Sequence, residues 1–184
     1  MGKHTFNLLA GVVGTGLLLA SCSGNDDTTV KGILATRNDF ESVLGWGGGN
    51  DPSVTNERAH SGKFSVKVGP QSEYGYTYTQ TLGRMSTAKA KDVTVSAWVW
   101  LTSAQDPSSI VMSITRSPEL STPVYYGSVE LAKEVKKFKT WQLVTKTFTL
   151  PDSVQATNQL KCYLWRVGSN ENVYADDLTL SIGN

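Results

Sequence analysis

Two tryptophans, Trp98 and Trp100, occupy alternate positions in the segment VTVSAWVWLT, residues 93–102. Aliphatic residues fill the other set of positions, so the period of two predicts a β-strand with one aliphatic core face and one indole-bearing face. An indole can stack on a flat partner because its π-face is apolar and rich in electrons. We expect the two rings to lie about 6–7 Å apart on the outer face of a sheet. The alternative is that they pack beneath a loop or a neighbouring strand.

Further aromatic side chains extend this surface if their strands are neighbours of the first. In the segment LKCYLWRV, Tyr163 and Trp165 share the face opposite to that of Cys162, which predicts that they point away from the core. The remaining candidates are Tyr76, Tyr78, Tyr125 and, in the glycine-rich segment GWGGGNDPS, Trp46. Aromatic residues also pair across strands and stabilise a sheet without any ligand, which leaves a structural role open.

The side chains that catalysis commonly uses are few and poorly arranged. His60 is the only histidine beyond the N-terminal segment, and its neighbour Ser61 is not part of a G-x-S-x-G motif. Asp176 and Asp177 are adjacent on a predicted strand, so we expect them to point to opposite faces and not to form the carboxylate pair of a glycoside hydrolase. The chain also lacks zinc-ligand spacing and a glycine-rich phosphate loop before a helix. We therefore expect a non-catalytic protein.

The elements that must position these residues are short strands. The chain has 184 residues, the length of one domain, and its net charge of +1 provides no basic excess for a nucleic acid partner. Turn-forming clusters separate nine strand-like runs: ILATRNDFES, FSVKV, YGYTYTQTL, VTVSAWVWLT, SIVMSITR, VYYGSVEL, WQLVTKTFTL, KCYLWRV and NVYADDLTLSI. Eight or nine strands in about 150 residues favour an all-β fold, an antiparallel two-sheet sandwich.

The N-terminus has the composition of a targeting segment. Lys3 precedes an apolar run over residues 8–20 that is too short to span a bilayer comfortably. The residues LLASC, which end at Cys22, resemble a bacterial lipobox, the signal in which the cysteine is lipidated and becomes the mature N-terminus. An ordinary secretory signal peptide is the alternative. The expected domains are a lipoprotein signal peptide over residues 1–21, a flexible tether over residues 22–31 and one β-sandwich over residues 32–184.

A lipid on Cys22 would hold the protein on a membrane surface without a transmembrane helix. Asp26 and Asp27 in the tether resemble the acidic patch of surface-exported lipoproteins in Bacteroidetes-like bacteria. The expected location is therefore the outer membrane, lipid-anchored and exposed at the cell surface. With Cys22 acylated, Cys162 has no cysteine partner within the chain, and we expect it to be a small buried hydrophobe in its strand.

The order of five motifs along the chain resembles a known family. These motifs are NDFES…GW, ERAHSGKFSVKV, VTVSAWVWL, TWQLVTKTFTLP and VYADDLTLSI. They resemble the jelly-roll carbohydrate-binding modules with the galactose-binding-like sandwich, which are appended to xylanases and other glycan-degrading enzymes. The resemblance covers residues 33–184 and implies a galactose-binding-like jelly roll that binds sugars either across the concave sheet or in loops at one end.

The resemblance also implies a structural calcium ion near the chain ends. The residues at the matching positions are Glu41, Asp176 or Asp177, the backbone carbonyl of Lys63, and Asp39. Ca²⁺ binds several hard oxygen ligands, and carboxylates from distant segments would hold both termini together. Strand parity places Asp176 with Leu178 and Leu180, facing inward, where a carboxylate needs a cation or hydrogen-bond donors. The alternative is that backbone amides satisfy these carboxylates.

Together these features predict a non-catalytic lipoprotein that binds carbohydrate. A pyranose ring has an apolar face of C–H groups, which can stack on the indoles of Trp98 and Trp100 while its hydroxyl groups stay in water. The expected ligand is a polysaccharide or oligosaccharide, held near the cell for glycan-degrading or importing partner proteins. The alternative function is an adhesion or envelope-assembly module with a protein partner, because an exposed aromatic patch also suits a protein interface.

Overall fold

The computed structural model of the protein describes Gly2 and residues 32–42, 51–120 and 122–184. The predicted signal peptide, Cys22, the tether and Trp46 lie outside the described residues. Within the described ranges the chain forms two antiparallel β-sheets, which confirms the predicted all-β sandwich. No helix in this part of the chain has the length and apolar composition that crossing a membrane requires.

Sheet A, the larger sheet, contains six of the described strands. They are β1 (Ile33–Asn38), β2 (Val54–Thr55), β3 (Ser65–Val68), β5 (Asp92–Trp100), β8 (Trp141–Thr149) and β10 (Val173–Gly183). Their order is β2, β3, β10, β5, β8, and β1 pairs with β10 beside β3. Each of the nine predicted strand-like runs overlaps an observed strand of one of the two sheets, whereas the two-residue strand β2 was not predicted.

Sheet B contains four of the described strands in the order β4, β9, β6, β7. They are β4 (Tyr78–Thr81), β6 (Ser109–Thr115), β7 (Pro123–Glu130) and β9 (Gln159–Trp165). Two single helical turns, α1 (Leu82–Met85) and α2 (Leu131–Glu134), follow β4 and β7. Among the described strands only β2–β3 and β6–β7 are both consecutive in the chain and paired, and most of the other connections cross from one sheet to the other.

The core lies between the two sheets and is filled from alternate positions of each strand. In β5, Val93, Val95, Ala97 and Val99 are each at most 1% exposed, so the predicted core face is confirmed. In β9, the buried set is Leu160, Cys162 and Leu164. The intervening residues of these strands face away from the core, and the two outer faces are where any ligand surface must lie.

A bulge in β10 breaks its period of two. The register with β5 shifts after Asp176, and Asp177 has a φ of 47°, in the left-handed region. Ala175 and Leu178 therefore both face the core although they are three residues apart, while Asp176 pairs opposite Trp98. The predicted inward orientation of Asp176 is wrong. The prediction that the two aspartates point to opposite faces is also wrong, because the extra residue of the bulge lets both carboxylates contact His60 and Ser61.

Cys162 is enclosed between the sheets, and burial raises the pKa of its thiol to about 12. The thiolate is the reactive form of cysteine, so the folded protein keeps this group inert. We expect iodoacetamide at about pH 8 to leave Cys162 unmodified in the native protein and to modify it in urea, as read by peptide mass spectrometry. Equal rates in the two states would contradict the burial.

Candidate functional site

The segment 56–63, which connects β2 with β3, covers the part of the outer face of sheet A that carries Trp98 and Trp100. The Arg58 guanidinium lies 4.0 Å from the centroid of the Trp100 ring, and the His60 ring stacks on Trp98 with 3.9 Å between centroids. Trp100 is consequently only 9% exposed. The predicted exposure of Trp98 and Trp100 as an open stacking surface is therefore wrong, because each ring already stacks against a side chain of this segment.

Two aspartates of the β10 bulge fasten this segment to the sheet. The backbone N–H groups of His60 and Ser61 donate to Asp176 Oδ2 at 2.7 and 3.1 Å. The Ser61 hydroxyl donates to Asp177 Oδ1 at 3.0 Å, and His60 Nδ1 lies 2.7 Å from Asp177 Oδ2. Arg37 of β1 donates to Asp177 Oδ1 at 3.2 Å. The bulge thus joins β1, β10 and the covering segment in one polar network.

The two carboxyl groups of this network have opposite pKa shifts. Burial raises the pKa of Asp176 to about 6, although three backbone N–H groups favour its ionised form. Burial acts in the same direction on Asp177, but the contacts with His60, Ser61 and Arg37 outweigh it and lower the pKa of that carboxyl below its usual range. Asp177 therefore stays ionised to a lower pH than Asp176 does.

The residues that we predicted as calcium ligands are engaged with hydrogen-bond donors. All four carboxylate oxygens of Asp176 and Asp177 accept from N–H or O–H groups or contact His60. Glu41 Oε1 accepts from the backbone N–H of Lys63 and of the residue after it, at 2.6 and 2.7 Å. Asp39 Oδ1 accepts from the Glu41 N–H at 3.2 Å. In the described ranges no group of three or more His, Cys, Asp or Glu side chains is placed to hold a metal ion. In this arrangement the carboxylates accept hydrogen bonds, and calcium binding by them stays a prediction.

The outer face of sheet B carries an open cluster of aromatic rings. Tyr163 and Trp165 alternate with the buried residues of β9 and point away from the core, in agreement with strand parity. Tyr74 lies nearly parallel to Trp165, with 6.1 Å between ring centroids and 16° between planes, and meets Tyr163 edge-on at 5.7 Å. Tyr74 is 52% exposed, so this cluster is accessible to a ligand.

A fourth aromatic residue, Tyr126 of β7, lies on the same face. It pairs opposite Ser113, which pairs opposite Lys161, so all three side chains leave the sheet on the side of Tyr163. Tyr126 is 51% exposed. Burial, followed by the neighbouring phenols of Tyr126 and Tyr74, raises the pKa of Tyr163, so its hydroxyl stays protonated and can donate as well as accept. We call Tyr74, Tyr126, Tyr163 and Trp165 the sheet-B aromatic face.

Glu73 positions the largest ring of the sheet-B aromatic face. The Trp165 indole N–H donates to Glu73 Oε1 at 3.3 Å, and the Glu73 carbonyl accepts from the Arg166 N–H at 3.1 Å. Glu73 thus holds the Trp165 indole through its side chain and the backbone next to Trp165 through its carbonyl.

The sequence of the chain matches one family model, the family described as Carbohydrate binding domain, over residues 33–166. This match covers most of the chain. The chain belongs to this carbohydrate-binding family. This family agrees with the resemblance of the motifs, and the structure has the two-sheet sandwich that the resemblance implies.

Solved structures with a similar fold include two xylan-binding domains of Xyn10C from Paenibacillus barcinonensis. Its CBM22-1 domain is 20% identical with a TM-score of 0.52, and the alignment covers 82% of this chain and 95% of that one. Its CBM22-2 domain is 14% identical with a TM-score of 0.50, covering 81% and 99%. At these identities the likeness concerns the fold alone. No curated protein sequence is similar enough to this carbohydrate-binding domain to count as a match.

Three tyrosines that we predicted at the ligand surface of the carbohydrate-binding domain lie elsewhere. Tyr76 and Tyr78 are 5% and 7% exposed and belong to the core, and Tyr125 packs partly buried against it. Their predicted exposure is wrong. In β7, Val129 is a core residue, and the period of two places Tyr125 on the same inward face and Tyr126 on the outward face.

Proposed function

We propose that this carbohydrate-binding domain binds a neutral, extended polysaccharide across the sheet-B aromatic face. The observation that carries the proposal is the pair of nearly parallel rings, Tyr74 and Trp165, 6.1 Å apart on a solvent-exposed face. The two rings stack against each other, which holds them in place, and the exposed ring of Tyr74 is accessible to a sugar ring. The family of the chain is one of carbohydrate-binding domains, which supports a non-catalytic binding role.

The chemistry of this face suits a sugar chain. Aromatic faces cover the C–H faces of successive sugar rings, and the driving force is the apolar area removed from water. Ser113 and Lys161 lie on the same face and offer hydrogen bonds to hydroxyl groups. Glu73 beside Trp165 and Lys161 on the same face carry opposite charges, so the face gives no net preference for an anionic or a cationic ligand.

The function is tested by titrating the protein with soluble xylan and with β-glucan in affinity electrophoresis and calorimetry. We expect Tyr74→Ala to lose about 1.4 kcal/mol of binding free energy, for roughly 55 Å² of ring surface at about 25 cal/mol per Å². This corresponds to a roughly tenfold rise in Kd. The matched control is Ile33→Ala, which removes an exposed apolar side chain from sheet A and should leave the Kd unchanged. A Tyr74→Ala protein that binds as tightly as the parent would contradict the proposal.

The same proposal places the domain on the outer membrane by a lipid on Cys22, exposed at the cell surface. Its support is the lipobox-like sequence LLASC and the polar residues that follow it. We expect metabolic labelling with palmitate to mark the full chain and Cys22→Ser to abolish both the label and the recovery of the protein with the outer membrane. A labelled Cys22→Ser chain, or an unlabelled parent, would remove the anchor from the proposal.

A different function, adhesion or envelope assembly with a protein partner, has one observation in its favour. Ile33 and Leu34 of β1 are 67% and 59% exposed, which gives sheet A an apolar margin. That function predicts a co-purifying protein and no binding to any soluble glycan. Saccharide binding lost in Tyr74→Ala would decide against it as the primary role of the domain.

A further inference from the structure

We propose that the outer face of sheet A carries a second binding site, which takes a neutral saccharide unit in a cavity beside Trp100. The cavity has a volume of about 740 Å³ and lies where β3 and β5 end and β10 begins. This volume falls within the range of about 300–1,000 Å³ that small-molecule sites occupy. The choice of a saccharide as the ligand rests on the proposed function, whereas the cavity belongs to the opposite sheet from the sheet-B aromatic face.

The floor of the cavity is held by contacts within the protein. The Arg58 guanidinium covers the Trp100 ring at 4.0 Å, and Tyr174 meets the same ring edge-on at 5.7 Å. The Tyr174 hydroxyl donates to Glu57 Oε2 at 2.8 Å, and Lys67 Nζ lies 2.5 Å from Glu57 Oε1. A ligand would therefore meet a floor that is already held in place, and the cost of ordering side chains would fall mainly on the rim.

The rim of the cavity supplies side chains that match sugar hydroxyls. Gln71 and Asn170 line it, and neither side chain has a hydrogen-bond partner among the described residues. Glu171 also lines it and accepts from the Thr102 hydroxyl at 3.2 Å. Amide groups both donate and accept, and carboxylates accept, so together they satisfy hydroxyl groups that do both. The free amides of Gln71 and Asn170 are the groups that the ligand would engage.

The charges around the cavity favour an uncharged ligand. Glu57 is paired with Lys67, and Arg58 is held against Trp100. The lining holds two acidic side chains, Glu57 and Glu171, and two basic ones, Arg58 and Lys67, so neither an acidic nor a cationic ligand gains a net attraction. A neutral sugar forms its hydrogen bonds without placing a charge beside a like charge.

Two turns connect this cavity with the sheet-B aromatic face. Residues 69–72 line the cavity, and the next residue, Glu73, positions Trp165. Residues 170–172 also line it and follow Trp165 through the turn that begins at Arg166, whose N–H donates to the Glu73 carbonyl at 3.1 Å. Because one chain carries both sites, a polysaccharide that engaged both would gain avidity over a short oligosaccharide.

The test follows the indole N–H signal of Trp100 in nitrogen–proton correlation spectra of the Trp165→Ala protein, in which the sheet-B aromatic face is disabled. The probes are xylohexaose and, separately, cellohexaose. We expect a progressive, saturable shift of the Trp100 signal with at least one probe. The double variant Gln71→Ala, Asn170→Ala in the same background should lose this shift. The control, Gln155→Ala, changes an exposed glutamine at the other end of the sandwich and should keep it.

The outcomes separate this site from the proposed function. No shift of the Trp100 signal with either probe, or a shift that persists in the double variant, overturns the second site. In the unmodified chain, a Trp165 shift without a Trp100 shift also overturns it while leaving the proposed function intact. A Trp100 shift without a Trp165 shift supports the second site and overturns the proposed function.

Discussion

Replacing Trp165 by alanine should remove most of the affinity of the domain for polysaccharide. An indole that covers roughly 80 Å² of sugar surface contributes about 2 kcal/mol at about 25 cal/mol per Å². Its loss raises the Kd by a factor of roughly 30. Tyr74 would also lose its nearly parallel neighbour, and Glu73 would lose the indole N–H that it accepts. Calorimetric titration with the polysaccharide that the parent protein binds measures this effect.

The matched control for Trp165→Ala is Trp141→Ala. Trp141 is also a half-buried tryptophan, but it lies in β8 of sheet A, where it meets the His60 ring edge-on at 5.9 Å. Its removal should raise the Kd far less than Trp165→Ala does, because Trp141 lies away from the sheet-B aromatic face and meets the sheet-A cavity only through its β5 partner Trp100. Trp165→Phe keeps an aromatic ring and should retain most of the affinity, which separates stacking from a loss of fold. Equal loss in Trp165→Ala and Trp141→Ala, with both folded by circular dichroism, would rule out the sheet-B aromatic face as the binding surface.

Strand positions and the core face were predictable because they depend on local alternation. The Val and Ala residues of β5 and the buried set of β9 repeat with a period of two, and both faces were assigned correctly. In the segment YGYTYTQ the same rule predicts that Tyr74, Tyr76 and Tyr78 share one face, and there it fails. The chain becomes a regular strand only at Tyr78, so the alternation does not extend back to Tyr74, which lies exposed while Tyr76 is in the core.

The role of Trp98 and Trp100 was not predictable from their own strand. Their outward orientation was read correctly, but the rings are covered by Arg58 and His60, about 40 residues earlier in the chain. A pattern within one strand carries no information on which distant segment crosses its outer face. The orientation of Asp176 was not predictable for a similar reason. The alternation along its strand does not reveal the β10 bulge, in which Asp177 has a positive φ.

Removing the Asp176 carboxylate should destabilise the domain more than any single change on the sheet-B aromatic face. The side chain is 0% exposed and accepts from the N–H groups of His60, Ser61 and Asp177. Each buried donor that is left unsatisfied costs about 1–3 kcal/mol of stability. Water that enters the space left by alanine recovers part of this free energy. We expect Asp176→Ala to lower the free energy of unfolding by about 3 kcal/mol, as measured by urea denaturation.

The control is Asp152→Ala, since the exposed Asp152 carboxylate has a single contact among the described residues, with Lys89 Nζ at 3.3 Å. This variant should change the unfolding free energy little. Running both variants and the parent in calcium and in EDTA separates the two accounts of the network. If hydrogen bonds hold the segment 56–63, the loss in Asp176→Ala is the same in both solutions. If calcium binding holds it, EDTA destabilises the parent by mass action, and the difference between parent and Asp176→Ala shrinks. The donors around all four oxygens of Asp176 and Asp177 lead us to expect the first result.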